Sequence, residues 1–291
     1  MKVAGFTFIR NAVKYDYPIV EAINSIIPLC DEVIVSVGDS KDETEQLIQS
    51  IQSPKMKIYH SQWNDALREG GFVLAEETNK AFDHIPPDVD WCVYIQGDEV
   101  IHEKYYPAIR DAMEKYKNDP RVDGLLFKYL HFYASYDYTG DSRKWYDREI
   151  RIIRNNKAIR SYRDAQGFRK NGQKRHVKEI EAYIYHYGWV KHPQQQLIKI
   201  DNFGKLWRPE GEHQKIPKTD ESLYDYSDID SLEIFKGTHP SVMQDRVNKK
   251  NWIFDFDVTK KRFSFSKSIL YWIEKKTGKR LFDYQNYKII T

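Results

Sequence analysis

The chain has 291 residues, with 46 basic and 43 acidic side chains and a formal net charge of +3. That near balance excludes a nucleic-acid binder that works on charge alone, which would carry a large basic excess. The length suits one large domain or one domain with an appendage, and 7 Trp, 21 Tyr and 14 Phe give a core that disordered chains lack.

Val3 to Ile9 is an apolar run that predicts a buried parallel strand. Asp16 offers a helix cap, Pro18 suits a first turn, and Ile19, Ile23, Ile26 and Ile27 repeat at helical spacing. Val33 to Val37 is a second strand. Ser40 with Glu43 reads as a capping box before Leu47, Ile48 and Ile51. Met56 to Tyr59 is a third strand, Phe72 to Phe82 a helix, and Trp91 to Ile95 a fourth strand running into Gln96-Gly97-Asp98-Glu99. Strand and helix in alternation predict an α/β domain with a mostly parallel sheet. Further on, Tyr105 to Tyr116 reads as a helix, Gly124 to Tyr133, Glu149 to Arg154 and Ala182 to Tyr187 as strands, and Pro193 to about Leu206 as a helix. The expected division is a core over residues 1–205 and a mainly helical or irregular appendage over 206–291.

Cys30 and Cys92 sit in apolar stretches and read as buried thiols in a reducing compartment. Met1 to Phe6 leads straight into a strand interrupted by Arg10, unlike a signal peptide, and no run approaches a membrane span. A cytoplasmic protein is expected.

Ligands of open α/β sheets bind beyond the carboxyl ends of the strands. Here those ends are Arg10-Asn11, Gly38-Asp39-Ser40-Lys41-Asp42-Glu43-Thr44 and Gln96-Gly97-Asp98-Glu99. Asp98 and Glu99, carried on a rigid buried strand, are candidates for Mg²⁺ or Mn²⁺, hard ions that take carboxylate oxygens and bridge to phosphates. The bland alternative for each end is a capped helix or a turn with solvated acids.

The order strand-Arg-Asn, strand-Gly-Asp-Ser-x-Asp-x-Thr, then apolar strand-Gln-x-Asp-Glu resembles the nucleotide-sugar half of the GT-A glycosyltransferases, most closely the bacterial glycosyltransferase family 2. The resemblance covers about the first two thirds of the chain. It implies that Phe8, Arg10, Asn11 and Asp39 contact the base and ribose of a nucleotide-sugar donor, perhaps UDP-linked, and that Gln96 and Asp98 occupy its Asp-x-Asp motif. Gln96 departs from that motif, so either Asp98 carries most of the coordination or metal dependence is weakened. Trp145 to Asn155 resembles the Arg-Leu-Phe-Arg strand of several members, whose catalytic base lies downstream. That implies Asp164 as base, with Asp147 and Glu149 as alternatives. His186 falls where many GT-A enzymes place a further metal ligand, whereas His192, His213 and His239 are less well placed.

The implied activity is an inverting, metal-assisted transfer to a glycan or lipid-linked acceptor in surface polysaccharide synthesis. Arg10, Arg148 and Arg151 are candidates for phosphate contact, and Tyr129, Phe132, Tyr133, Tyr136 and Tyr138 for sugar stacking. A catalytically decayed nucleotide-sugar binding protein and a nucleotidyltransferase are the alternatives. The basic, bulky tail from Lys260 to Lys276 is expected to pack on the core, with dimer contact or the inner face of the cytoplasmic membrane as the other readings.

Overall fold

The computed structural model describes residues 1–67, 69–204, 216, 219 and 223–290. Its elements are β1 (Val3–Ile9), α1 (Ile19–Ile26), β2 (Glu32–Gly38), α2 (Thr44–Gln49), β3 (Met56–Ser61), α3 (Phe72–Asp83), β4 (Trp91–Tyr94), β5 (Glu99–Ile101), α4 (Tyr106–Tyr116) and β6 (Gly124–Tyr133). They continue with β7 (Tyr138–Gly140), β8 (Arg148–Arg154), β9 (Ile159–Tyr162), β10 (Gly167–Lys170), β11 (Gln173–Trp189), α5 (Pro193–Gly204), β12 (Leu232–Ile234), α6 (Gln244–Asn248), α7 (Phe265–Thr277) and β13 (Tyr287–Ile289).

The sheet runs β3-β2-β1-β4-β8-β6-β11-β10-β9. Neighbours from β3 to β4 are parallel, as are β6 and β11; β8 runs against both β4 and β6. The α/β class is therefore as expected, but the sheet is mixed and not mostly parallel: among the described residues five strand pairs are parallel and seven antiparallel, the parallel run being β3-β2-β1-β4. The unbroken apolar sequences of β1, β2 and β4 have a direct cause: these strands are buried on both faces. One side packs on Ile19, Ile23 and Ile26 of α1, and the other on Phe82 and Ala81 of α3. Each such fully buried side chain contributes about 1.5–3 kcal/mol. Cys30 and Cys92 are buried free thiols in these layers, with burial raising both pKa values.

From β1 the chain builds outward through β2 and β3, then returns to place β4 on the other side of β1. This reversal opens a crevice at the carboxyl ends of β1 and β4, the usual ligand site of such sheets.

Several local expectations are corrected. Asp16 does not cap α1, whose first residue follows Pro18; its carboxylate pairs with Arg246 of α6 at 2.7 Å. Nor does Ser40 cap α2. Its hydroxyl accepts the Asn11 N–H, and Asp42 accepts from Thr44 instead. The segment after α5 returns to the sheet, with β12 antiparallel to β7 and β13 parallel to β11. The rings proposed for sugar stacking are mostly core: Tyr129, Phe132, Tyr133 and Tyr136 are buried, and the partly exposed Tyr138 donates to Asp255. Their large apolar area fills the space between β6, β11 and the C-terminal segment.

Candidate active site

At the end of β1, Asn11 takes a left-handed backbone conformation (φ 53°). Its side-chain oxygen accepts the Lys41 N–H at 2.8 Å, while the N–H of Ala12 donates to Thr44 Oγ1. These bonds lace the β1 and β2 ends together, so the Gly-Asp-Ser-x-Asp-x-Thr segment works first as a loop clamp. Arg10 reaches from β1 to Asp39 (3.2 Å) and Asp65 (3.1 Å) and lies over the Trp63 ring. Trp63 covers Gly38, where a Cβ would collide with the indole, and packs against Phe8. Phe8, Arg10, Asp39 and Trp63 thus form one wall of the crevice. Trp63 sits in a segment with no periodic pattern and no motif, which is why sequence reading missed it.

At the end of β4, the adjacent carboxylates part company. Glu99 is fully buried, accepts two 2.7 Å bonds from Arg151 and a third from Tyr129 Oη, and also accepts the Gln96 N–H. Arg151 lies between the rings of Tyr94 and Tyr129. Glu99 therefore anchors the turn and is not a metal ligand, and Arg151 is not a phosphate contact. Arg148 is likewise engaged, by Asp147 and Glu179. The Gln96 amide turns toward Tyr94 Oη and Ala165 O, both at 3.5 Å, and not toward Asp98.

Asp98 points the other way. The Tyr187 N–H donates to its backbone oxygen at 2.8 Å, holding the turn against β11. One carboxylate oxygen lies 3.3 Å from Lys199 Nζ and the other 3.7 Å from His186 Nε2. Burial tends to raise this carboxyl, but the positive charge of neighbouring lysines, Lys199 first, outweighs it and holds the pKa at about 2.

His186 and His131 are register partners on β11 and β6, with their Nδ1 atoms 3.1 Å apart. His131 Nε2 contacts the Tyr146 carbonyl at 2.7 Å, and a carbonyl only accepts, so that nitrogen carries the proton. Burial lowers the pKa of both rings, favouring the neutral forms. His131 Nδ1 must then accept from His186 Nδ1–H, which leaves the lone pair of His186 Nε2 facing Asp98. In that tautomer Asp98 and His186 Nε2 are two acceptors that would both be offered to a cation placed between them.

The space between them is kept by Gly188, where a Cβ would lie 2.6 Å from Asp98 Oδ2 and 2.8 Å from His186 Nε2. The β6–β11 register shifts between His186 and Trp189, so one extra residue bulges here. Bulges re-aim side chains in this way beside active sites.

The donor chemistry fits a divalent ion held by one carboxylate and one neutral imidazole, with the remaining positions left to phosphate oxygens and water. Among the described residues no three His, Cys, Asp or Glu side chains converge to hold a metal ion. Two lysines add positive charge: Lys191, fully buried and donating to Asp16 O, and Lys199, both over the Tyr17 ring. Burial lowers Lys191 to a pKa of about 7. Neither lysine belongs to a motif, and sequence reading did not find them.

Asp164 occupies the turn between β9 and β10, where Arg163 and Ala165 both have positive φ. The Gln96–Ala165 contact brings this turn to the end of β4. Burial raises the Asp164 carboxyl above its usual range, against the opposing backbone N–H groups and Arg163. Glu149 is buried, with its pKa pushed up to about 8 by desolvation, and Asp147 is paired with Arg148. Of the three candidate bases, Asp164 is the one on the turn that meets the end of β4 and, among the described residues, forms no ion pair. His239 is bound to Tyr187 Oη and Tyr136 O, His192 accepts the Gln194 N–H, and His213 lies outside the described residues.

No protein-family model matches this chain, and no curated protein does. Among solved structures, it is similar to S. aureus TarS 1–349 in complex with UDP-GlcNAc, at 22% identity and TM-score 0.35, over 45% of this chain and 35% of that one. Against TarS 1–349 in complex with UDP the identity is 16% and the TM-score 0.40, over 71% of this chain and 65% of that one. Glucosyl-3-phosphoglycerate synthase from Mycobacterium tuberculosis, in complex with Mn²⁺, UDP and phosphoglyceric acid, gives 18% and 0.30, over 45% and 43%. The chain thus spans about one third to two thirds of the length of these proteins.

Proposed function

We propose that this protein is a glycosyltransferase that takes a sugar from a nucleotide-diphosphate donor, a UDP sugar being the first to test, and passes it with inversion to a hydroxyl of a glycan or lipid-linked acceptor. The observation that carries this reading is the convergence of Asp98 and the His186 lone pair over Gly188, at the crevice where the strand order reverses.

In this reading the base and ribose lie along Phe8, Trp63, Arg10 and Asp39, with Asn11 and Gln96 shaping the loop floor. The diphosphate lies toward Asp98, His186, Lys199 and Lys191. Mg²⁺ or Mn²⁺, when held by Asp98 and His186, supplies positive charge for the departing diphosphate. Lys199 hydrogen-bonds the phosphate oxygens, and the partly buried wall limits water. Asp164 accepts the acceptor hydroxyl's proton as the oxygen attacks the anomeric carbon. Its raised pKa makes it a stronger base than an exposed aspartate.

The test is transfer and donor hydrolysis with UDP sugars, with and without Mn²⁺. Asp98→Ala is expected to abolish Mn²⁺-dependent donor binding. Asp164→Asn is expected to bind donor normally and lose about 10²–10⁴-fold in transfer. Wild-type transfer by Asp164→Asn overturns the base assignment; donor binding with no turnover of any sugar by the wild type leaves a binding protein.

A further inference from the structure

Helix α7 carries apolar residues on two sides: Leu270 and Ile273 are half-buried toward the protein, while a second apolar set is left exposed. The side facing the protein is held by polar contacts, Tyr271 Oη to Asp141 at 2.8 Å and Glu274 to Arg143 at 2.8 Å. The side facing away is apolar: Phe265, Ile269 and Trp272, at i, i+4 and i+7, are 84%, 45% and 61% exposed. No residue of this helix is buried. Lys276 falls on the same outward face, over the Trp272 ring. Residues 260–281 carry eight basic side chains and one acidic one, a local excess of seven in a chain whose whole formal charge is +3. The rest of the chain is therefore net negative, although four of the eight are paired with acids outside this segment, Lys260 with Asp257, Lys261 with Asp141, Lys275 with Glu233 and Arg280 with Asp283; Lys267, Lys276 and Lys279 are exposed. At its N-terminal end lies a cavity of about 450 Å³ lined by Arg143, Lys144, Arg262 and Lys267 against Asp228 and Asp230.

From this we infer that the outward face of α7 is a docking surface for an anionic lipid bilayer. Three apolar side chains on one face would enter the acyl boundary, and the exposed Lys267, Lys276 and Lys279 would meet the headgroups. The charge complementarity selects an anionic surface, and the exposed Phe, Ile and Trp select lipid over nucleic acid, whose backbone offers them nothing. No described helix is long and apolar enough to cross a membrane, so the contact is at the surface.

The experiment is co-sedimentation of the full chain with phosphatidylcholine vesicles, with and without about one third phosphatidylglycerol, at low and high salt. The expected result is binding to the anionic vesicles only, weakened by salt. The triple variant Phe265→Ser, Ile269→Ser, Trp272→Ser should bind roughly tenfold more weakly or worse, and Lys276→Glu should bind more weakly, both with unchanged Tm and UDP binding. The inference is overturned if the wild type stays in the supernatant with anionic vesicles, or if the triple variant pellets like the wild type. It is equally overturned if light scattering shows a wild-type dimer that the triple variant dissolves, or if a DNA duplex is bound as tightly as the vesicles by both proteins.

Discussion

Gly188→Ala probes the cation site with a single methyl group. The new Cβ would stand 2.6 Å from Asp98 Oδ2 and 2.8 Å from His186 Nε2, where ordinary contacts are 3.4–4 Å. The carboxylate must therefore move away from the new methyl by about 0.8 Å and the ring by about 0.6 Å, on the order of what over-packed sites absorb at a cost of about 1–3 kcal/mol. Neither residue can retreat freely. Asp98 is tied through its backbone to Tyr187 N–H, and His186 is braced by His131. Displacing both donors is expected to weaken Mn²⁺ binding about 10–100-fold, or ~1.4–2.8 kcal/mol. Calorimetric titration of Mn²⁺ at saturating UDP measures this, with Tm recorded alongside and Asp98→Asn as a companion that removes the charge at constant volume. A folded Gly188→Ala protein that binds Mn²⁺ as tightly as the wild type would show that no cation sits between these two side chains.

Two other substitutions test neighbouring parts of the argument. Lys199→Ala removes the ammonium 3.3 Å from Asp98, so UDP should bind about tenfold more weakly while Mn²⁺ alone binds more tightly; unchanged values for both reject its place beside the phosphates. Glu149→Gln tests burial. The folded-state pKa of about 8 lies above the ordinary value of 4.5, so the neutral carboxyl's advantage is complete at acid pH and is lost as the pH rises toward 8. At pH 7 ionisation of the unfolded chain costs the fold about 3 kcal/mol, which the amide avoids. Urea denaturation at pH 5 and pH 8 should show a flatter pH profile for the variant, and identical profiles would reject a neutral buried Glu149.

The longer strands of the sheet were legible: β1 and β6 match their predicted bounds, and β2, β3, β4 and β8 come within two residues. Burial on both faces dictates the apolar runs of β1, β2 and β4, whereas β3 has no buried residue and is marked only by its local apolar and aromatic residues. The small strands β5, β7, β9, β10, β12 and β13 were not legible, because their three or four residues owe their pairing to long-range neighbours and not to local pattern. The same distinction runs through the site. Asp98 could be located because a rigid apolar strand delivers it, and His186 because a strand precedes it. His131, Lys191, Lys199 and Trp63 could not, since each matters through a partner far along the chain. The predicted fate of Glu99 failed for this reason too. Sequence shows two adjacent acids but not the arginine 52 positions away that claims one of them.

That claimed carboxylate shapes how the site could change over time. Glu99 and Arg151 are locked between two tyrosine rings, and the loss of either would strand a charge in the core, at a cost of about 3–5 kcal/mol. A lineage could alter donor preference through the exposed Asp39 and Trp63 wall with little resistance. The turn that aims Asp98 could be rebuilt only by paired replacement, so on the proposed reading the nucleotide end of a donor site would be far easier to redirect than the place where a diphosphate would sit.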